Sequence, residues 1–469
     1  MDLRAETNAE RTEIYDAAVI GGGVVGCAIA RKLTLSGLRV ILIEKADDIL
    51  DGASKANSAI LHTGFDAPEG SLEARLVAHG HAEYLLIREK LGLPLIRSAA
   101  LVIAWNEEEE AQLPGLIAQA QANGVGDVQL LSAAQTLALE PNLAGHLRAA
   151  FRVPREYLID PWSAPLAYLL QAVENGAVVL RGAEVMGGAF DGEVWHLKTT
   201  RQEVRAKVVI NAAGLFGDVV DQRLTGKQSF AIKPRKGQFI VYDKPAAALA
   251  GHILLPVPNK ITKGIVVCRT AFGNLLVGPT AEDQEDRVNA VLRPETLAAL
   301  QLKGEEILPA LKEQEVTAIY AGLRPATEFK EYQITADAAQ RFITVGGIRS
   351  TGLSASLGIA AYVDGLVADM GSVGVRLQTP VWPRVPNIAE NELRDWARAG
   401  NGGILCHCEL VTRREIAAAL CGPLAARSLA GLKRRTRASM GRCQGFYCLV
   451  ELAKMTEGCF AQPIATTPP

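Results

Sequence analysis

Residues 15 to 45, YDAAVIGGGVVGCAIARKLTLSGLRVILIEK, constrain the fold of this chain more than any other stretch. They read as a strand, a glycine turn, a helix and a second strand that ends in an acidic residue. Gly21 permits the tight turn, Gly23 lets the backbone approach a pyrophosphate, and Gly26 lets the helix lie close on the sheet, while the helix N-terminus faces the phosphate charge. Glu44, closing the second strand, is placed to accept hydrogen bonds from a ribose. The alternative is a glycine-rich turn without a ligand, and the motif alone does not separate FAD from a nicotinamide.

Length and composition bound the rest. At 469 residues the chain exceeds one ordinary core, so two or three packed units are expected. Hydrophobic residues make up 49% and aromatics 5%, which favours an Ala, Leu, Val and Ile interior of the α/β type. With 49 basic against 51 acidic side chains, nothing points to nucleic acid. The first fourteen residues are polar and mixed in charge, and no apolar run approaches the roughly 18 residues needed to span a bilayer. A cytoplasmic protein is expected, with attachment to a membrane through a partner left open.

Cys406, Cys408, Cys443 and Cys448 form a second signal, C-x-C and C-x-x-x-x-C, in a chain whose other cysteines, Cys27, Cys268, Cys421 and Cys459, are scattered singly. Four thiolates so spaced suit a [2Fe–2S] cluster or a tetrahedral zinc; two small disulfides are the remaining alternative. The flanking sequences GGILCHCELVTRREI and RRTRASMGRCQGFYC resemble the bacterioferritin-associated-ferredoxin type of [2Fe–2S] module appended to some flavin dehydrogenases. In that reading Arg434, Arg435, Arg437 and Arg442 offset the charge of an anionic cluster.

Three further segments bear on the first ligand: DGASKANSAILHTGFD at 51 to 66, VVINAAGLFGD at 208 to 218, and VGGIRSTGLSASLG at 345 to 358. With the glycine turn they resemble the D-amino-acid-oxidase superfamily of FAD enzymes, over nearly the whole stretch from 15 to 370. The resemblance implies FAD contacts at Gly21, Gly23, Gly26, Glu44, Lys45, Ser54, Asn57, Ser58, Val185, Ala213, Gly214, Gly352, Leu353 and Ser354. It also implies a discontinuous α/β, Rossmann-like FAD domain. Interleaved with it is an antiparallel-sheet substrate domain at about 90–150 and 225–325. A flexible extension (1–14), a proline-rich linker (371–400) and a small helical iron–sulfur module (401–460) complete the expected organisation. No second glycine motif offers an NAD(P) site, so the cysteine module is the expected exit for electrons, toward one or more electron-accepting protein subunits in a homo- or hetero-oligomer.

A flavin takes a hydride from carbon beside a hydroxyl or an amine when a base removes the heteroatom proton. ANSAILHTGFDAPEGSLEARL and LEPNLAGHLRAAFRVPREYLIDP resemble the L-2-hydroxyglutarate oxidase branch, whereas the cysteine module resembles the catalytic subunit of anaerobic glycerol-3-phosphate dehydrogenase. Both oxidise a secondary alcohol on a small anion. In the glycerol-phosphate enzymes an arginine follows the H-x-G motif; here Asp66 stands there. His62 is the candidate base, or a structural histidine packed on the flavin. Arg324 is the first candidate anion clamp, with Lys260, Lys263 and Arg269 behind it. Arg349 approaches flavin or substrate, and Tyr320 and Tyr332 lie near the pocket. An amine or opine oxidase subunit and a non-catalytic flavin and iron–sulfur carrier remain the alternatives to a CH–OH dehydrogenase.

Overall fold

In the computed structural model, which describes residues 13–258 and 264–465, the glycine turn sits at the centre of an eight-stranded sheet. Ile14–Ile20 runs parallel to Val40–Glu44 on one side and to Glu203–Asn211 on the other, and Val178–Arg181 and Phe342–Gly346 extend the parallel order outward. Gln333–Asp337 closes one edge antiparallel, and the hairpin Val185–Phe190/Trp195–Thr199 shares the outer edge of Glu203–Asn211. The central strands are apolar throughout Ala17–Ile20 and Val40–Ile43 because helices Val24–Leu35, Ser163–Glu174 and Gly352–Asp369 cover one face while the hairpin and helix Gly217–Thr225 cover the other. Gly80 and Gly358 let helices Leu72–Leu91 and Gly352–Asp369 cross closely. A Cβ at either position would lie 2.0–2.1 Å from a carbonyl oxygen of the other helix.

The second sheet has nine strands drawn from two separated parts of the chain, 100–153 and 235–324. It is antiparallel except where Ile253–Pro256 pairs in parallel with Ala100–Ala104, which is how the two parts are stitched together. Val316–Arg324 lies along Arg235–Tyr242 over its whole length. Its Gly322 leaves room for Ala56, whose Cβ would stand 2.6 Å from a Cβ there. This sheet is thereby pressed on the 51–66 segment. The acidic run Glu107 to Glu110 opens a helix, Glu107–Ala122, with Asn106 as its N-cap, where the dipole favours negative charge.

The proline-rich stretch after residue 370 is laid along helices of the first-sheet unit and then along the second-sheet unit. Leu377, Val385 and Glu390 donate backbone hydrogen bonds to Leu35, Leu91 and Ala271, at 3.0, 3.0 and 2.8 Å. Beyond it, a two-stranded ladder (Ile404–Cys406 with Val411–Thr412) and three short helices enclose a separate small core of Leu405, Val411, Ile416, Leu432 and Leu452. No helix among the described residues is long and apolar enough to cross a membrane. Lys260, Lys263 and the first twelve residues lie outside the described part.

Candidate active site and cysteine cluster

The glycine turn is held by three segments at once. Gly21 has φ of +112°, and a Cβ on it would lie 2.5 Å from the Ala212 carbonyl oxygen, so the 208–218 segment presses directly on the turn. A Cβ on Gly26 would fall 1.9 Å from the Gly21 carbonyl oxygen, the close approach of helix to turn. Gly23 differs: a Cβ there meets only Ser54 Oγ, at 3.2 Å, leaving open the side on which a diphosphate would lie. Helix Val24–Leu35 has no side-chain cap at Gly23, and Ser54 Oγ accepts the Val24 N–H at 3.0 Å. Ala213 donates to Asn211 Oδ1, and Gly214 takes φ of +54°.

Glu44 is more committed than the ribose reading implies. Its carboxylate accepts the N–H groups of Gly22 (2.6 Å) and Ala46 (2.8 Å), which brace the turn, and its remaining lone pairs are what a ribose would use. Burial raises its pKa, against the pull of these backbone donors. Lys45 places its ammonium 3.2 Å from the Phe216 ring centroid, and Val185 sits buried with its carbonyl accepting from Arg223.

The 51–66 segment joins two helix N-termini. Ser54 serves the first helix, and Ser354 Oγ, at the start of Gly352–Asp369, accepts the His62 backbone N–H at 2.8 Å while bonding the Ile60 carbonyl. Helix Gly352–Asp369 has no side-chain cap either; the Thr351 hydroxyl is spent on Glu73 (2.7 Å) and Tyr332 (2.6 Å). Two helix starts without a side-chain cap from their own N-cap residues, bridged by one segment, fit an elongated anionic dinucleotide. Asn57 orients the segment through Ala59, its carbonyl accepts the Tyr320 hydroxyl, and the Ser58 carbonyl faces buried Cys268.

His62 is paired to a residue that sequence reasoning missed. Ile60 and Leu61 pair antiparallel with Leu158 and Tyr157, so continuing the register sets His62 opposite Glu156. Glu156 is 0% exposed; its Oε2 lies 2.8 Å from His62 Nδ1, and its Oε1 accepts the Thr63 N–H (2.6 Å) and Thr63 hydroxyl (2.7 Å). In the sequence Glu156 stands between Arg155 and Tyr157 with Arg152 close by, so nothing there distinguishes it from a solvated charge.

Arg324 ends strand Val316–Arg324, two residues past the glycine that touches Ala56. Among the described residues its guanidinium has no carboxylate partner and makes one long contact, 3.5 Å, to the Thr280 carbonyl. Burial, with the like charge of Arg235 behind it, pushes its pKa down to about 10. Arg269, behind Arg324 as a candidate clamp, donates its Nε–H to the Ala250 carbonyl. Arg349 donates to the Thr327 and Phe329 carbonyls just before the second helix start.

In the small C-terminal unit the four candidate thiols come into one neighbourhood, Cys408 beside Cys443 and Cys406 beside Cys448, near enough for the charge of one to be felt by the others. The Tyr447 N–H, with those of Gly445 and Phe446, holds the Cys443 thiol below its usual range; burial pushes Cys448 up to about 12 and raises Cys408. Left-handed φ values at Arg437, Ser439, Gln444 and Gly445 curl the chain tightly around the group. No three His, Cys, Asp or Glu side chains among the described residues close on a single-ion site. Thiols arranged two by two in an apolar wall with backbone donors suit a two-iron cluster that takes two thiolates per iron. Cys27 and Cys268 are buried, whereas Cys421 and Cys459 are exposed.

The neighbouring arginines correct the expectation that they serve the cluster charge. Arg435 forms a fork on Asp48 at 2.7 and 3.0 Å, Arg434 bonds the Ile49 carbonyl, and Arg442 pairs with Asp243. Arg437 binds Glu409 and lies 4.0 Å over the Phe272 ring. Arg434 and Arg435 thus fasten the module to the unit of the first sheet through Ile49 and Asp48, whereas Arg442 and Arg437 reach the unit of the second sheet through Asp243 and Phe272. The neighbouring Leu50 donates to the Gly22 carbonyl, so the dock lies directly behind the glycine turn.

Comparison with known proteins agrees with this geometry. The FAD dependent oxidoreductase family model matches residues 16–366, and the BFD-like [2Fe–2S] binding domain model matches 404–457. A glycerol 3-phosphate dehydrogenase of Caloramator mitchellensis is 33% identical over 93% of this chain and 92% of its own. One of the subunits of the anaerobic glycerol-3-phosphate dehydrogenase of Escherichia coli K12 is 27% identical over 94% of this chain and 88% of its own. Among solved structures, the FAD-bound L-alpha-glycerophosphate oxidase of Mycoplasma pneumoniae superposes with a TM-score of 0.74 at 27% identity, over 80% of this chain and 100% of that one. The chain therefore belongs to the family of FAD-dependent oxidoreductases and carries a BFD-like [2Fe–2S] binding domain.

Proposed function

We propose that the protein is a dehydrogenase that oxidises the secondary alcohol of glycerol 3-phosphate and delivers the electrons, by way of the cluster held by Cys406, Cys408, Cys443 and Cys448, to a separate acceptor protein. The observation that carries the anionic substrate is Arg324, a largely enclosed guanidinium with no carboxylate partner among the described residues. Leaving such a charge unneutralised is costly, and a substrate phosphate or carboxylate supplies the missing partner. The full-length likeness to glycerol 3-phosphate dehydrogenases supports the phosphate ester.

Bound FAD would supply the acceptor for the hydride. His62 takes the hydroxyl proton as the carbon–hydrogen bond breaks and the carbonyl forms. Arg324 holds the anionic end, fixing the substrate carbon against the flavin face. Gly21, Gly23, Gly26, Ser54 and the start of Gly352–Asp369 position the dinucleotide, as do the other segment residues named above. Glu44 braces the turn. Arg349 orders the Thr327–Phe329 turn beside that helix start. A partner protein fits a chain whose Escherichia coli relative is itself one subunit of an enzyme, and the protein acts in the cytoplasm, free or held at a membrane by that partner.

A 2-hydroxy dicarboxylate such as L-2-hydroxyglutarate is the second reading, favoured by Asp66 at the position where a phosphate-binding arginine would stand. Anaerobic bleaching of the flavin decides between them. Rapid bleaching by glycerol 3-phosphate supports the first, bleaching by L-2-hydroxyglutarate alone supports the second, and bleaching by amines alone overturns both.

A further inference from the structure

We propose that Glu156 is a positioning residue for the oxidation, setting the tautomer of His62 so that Nε2 presents the lone pair that receives the substrate proton. The inference rests on the reading of His62 as the base. A carboxylate offers only lone pairs, so the nitrogen 2.8 Å from Glu156 Oε2 carries the hydrogen, and the ring's basic site is its other nitrogen. The carboxylate cannot swing to another role, because Oε1 is held by both the N–H and the hydroxyl of Thr63 and the residue is 0% exposed. The ring is anchored from its own backbone as well, through His62 N–H on Ser354 Oγ at 2.8 Å. Of the groups packed nearby, His81 stacks on Tyr157 and bonds the Arg155 carbonyl, so neither its ring nor that carbonyl competes for the Glu156 oxygens.

In the reaction the C–H bond breaks with its electron pair going to the flavin, the O–H bond breaks with its proton going to Nε2, and the carbonyl forms. Glu156 keeps its own protonation throughout and faces the imidazolium that results. A buried anion against that new charge stabilises the product of proton transfer more than the starting state, which is the requirement for faster chemistry rather than tighter binding.

Glu156→Gln is the informative change. The amide oxygen can keep both Thr63 bonds, but the amide nitrogen then faces Nδ1 and donates to it, which forces the hydrogen onto Nε2 and removes the lone pair from the reacting side. The rate of flavin reduction is expected to fall by about 10²–10⁴-fold with FAD retained. In a His62→Ala background the same substitution is expected to change the rate by less than about threefold, since a residue acting through His62 has nothing left to act on. Ring-nitrogen spectra of ¹⁵N-histidine-labelled holoprotein, with His62 assigned from the His62→Ala spectrum, provide a readout that needs no turnover. The wild type should show Nδ1–H and the Gln variant Nε2–H.

A wild-type His62 protonated at Nε2, a Gln variant that reduces flavin at the wild-type rate, or an equal loss in both backgrounds would each overturn the role of Glu156. Full activity of His62→Ala would instead overturn the base reading beneath it. A wild type that neither glycerol 3-phosphate nor L-2-hydroxyglutarate reduces leaves the ring-nitrogen result to decide alone.

Discussion

Replacing Arg324 with Met separates substrate binding from stability in opposite directions. Burial, with the like charge of Arg235, lowers its pKa to about 10, which corresponds to a cost on the order of 3 kcal/mol for holding an unneutralised guanidinium in that site. Because the shift disfavours the charged form in the folded state, the cost is present in full below about pH 10 and fades only as pH rises above it, so that near neutral pH a bound anion is what relieves it. Met keeps most of the side-chain volume without the charge, so the ligand-free variant should be as stable as the wild type or more so, by up to about 3 kcal/mol. Its kcat/KM should fall by about 10²–10³-fold, chiefly through KM, because a charge-assisted contact made in both ground and transition states is gone. Thermal melts with and without glycerol 3-phosphate provide the assay alongside steady-state kinetics. The wild type should gain about 2.7 kcal/mol at one hundred times Kd, and the variant nearly nothing at the same concentration. A destabilised variant with an unchanged KM would show that Arg324 serves an internal partner, and the anion-clamp argument would fall.

Gly23→Val should give folded, colourless protein: the new side chain fills the space left for the diphosphate, whereas the backbone around it meets only Ser54 Oγ; stoichiometric FAD in the variant would refute this. Cys443→Ser should lose iron and the paramagnetic signal of the dithionite-reduced protein while substrate still bleaches the flavin, and stoichiometric zinc with no signal in the wild type would remove the electron-transfer role. Arg435→Ala leaves buried Asp48 with Arg181 at 3.7 Å and the Arg427 N–H but without its forked partner; a loss of about 1–3 kcal/mol from the module interface should appear as faster proteolysis within 371–400 and slower transfer to an acceptor protein. Unchanged cleavage would mean that apolar packing alone holds the module.

The elements readable from residues alone were those whose chemistry depends on residue type at short spacing. Gly21 must be glycine because its φ is positive and a carbonyl sits where a Cβ would be, and four cysteines in two close pairs announce soft ligation wherever they fold. The parallel sheet was legible for the same reason, since strands covered on both faces must be apolar throughout. The partners of charged side chains were not legible. Glu156 meets His62 across 94 residues, and Asp48 meets Arg435 across 387. A carboxylate in VPREYLIDP and another in EKADDIL look like solvated charges in one dimension. In sequence the arginines beside the cysteines have the cluster as their nearest negative group, whereas in the fold Arg435, Arg434 and Arg442 bind Asp48 and Ile49 beside the first sheet and Asp243 beside the second. Burial decides such pairings: a charge removed from water must find a partner within about 3 Å, and only the packing of distant surfaces determines which one is there. Arg324 obeys the same physics: with no carboxylate partner among the described residues, its guanidinium is left for a partner from outside, which is the basis of the proposed anion clamp.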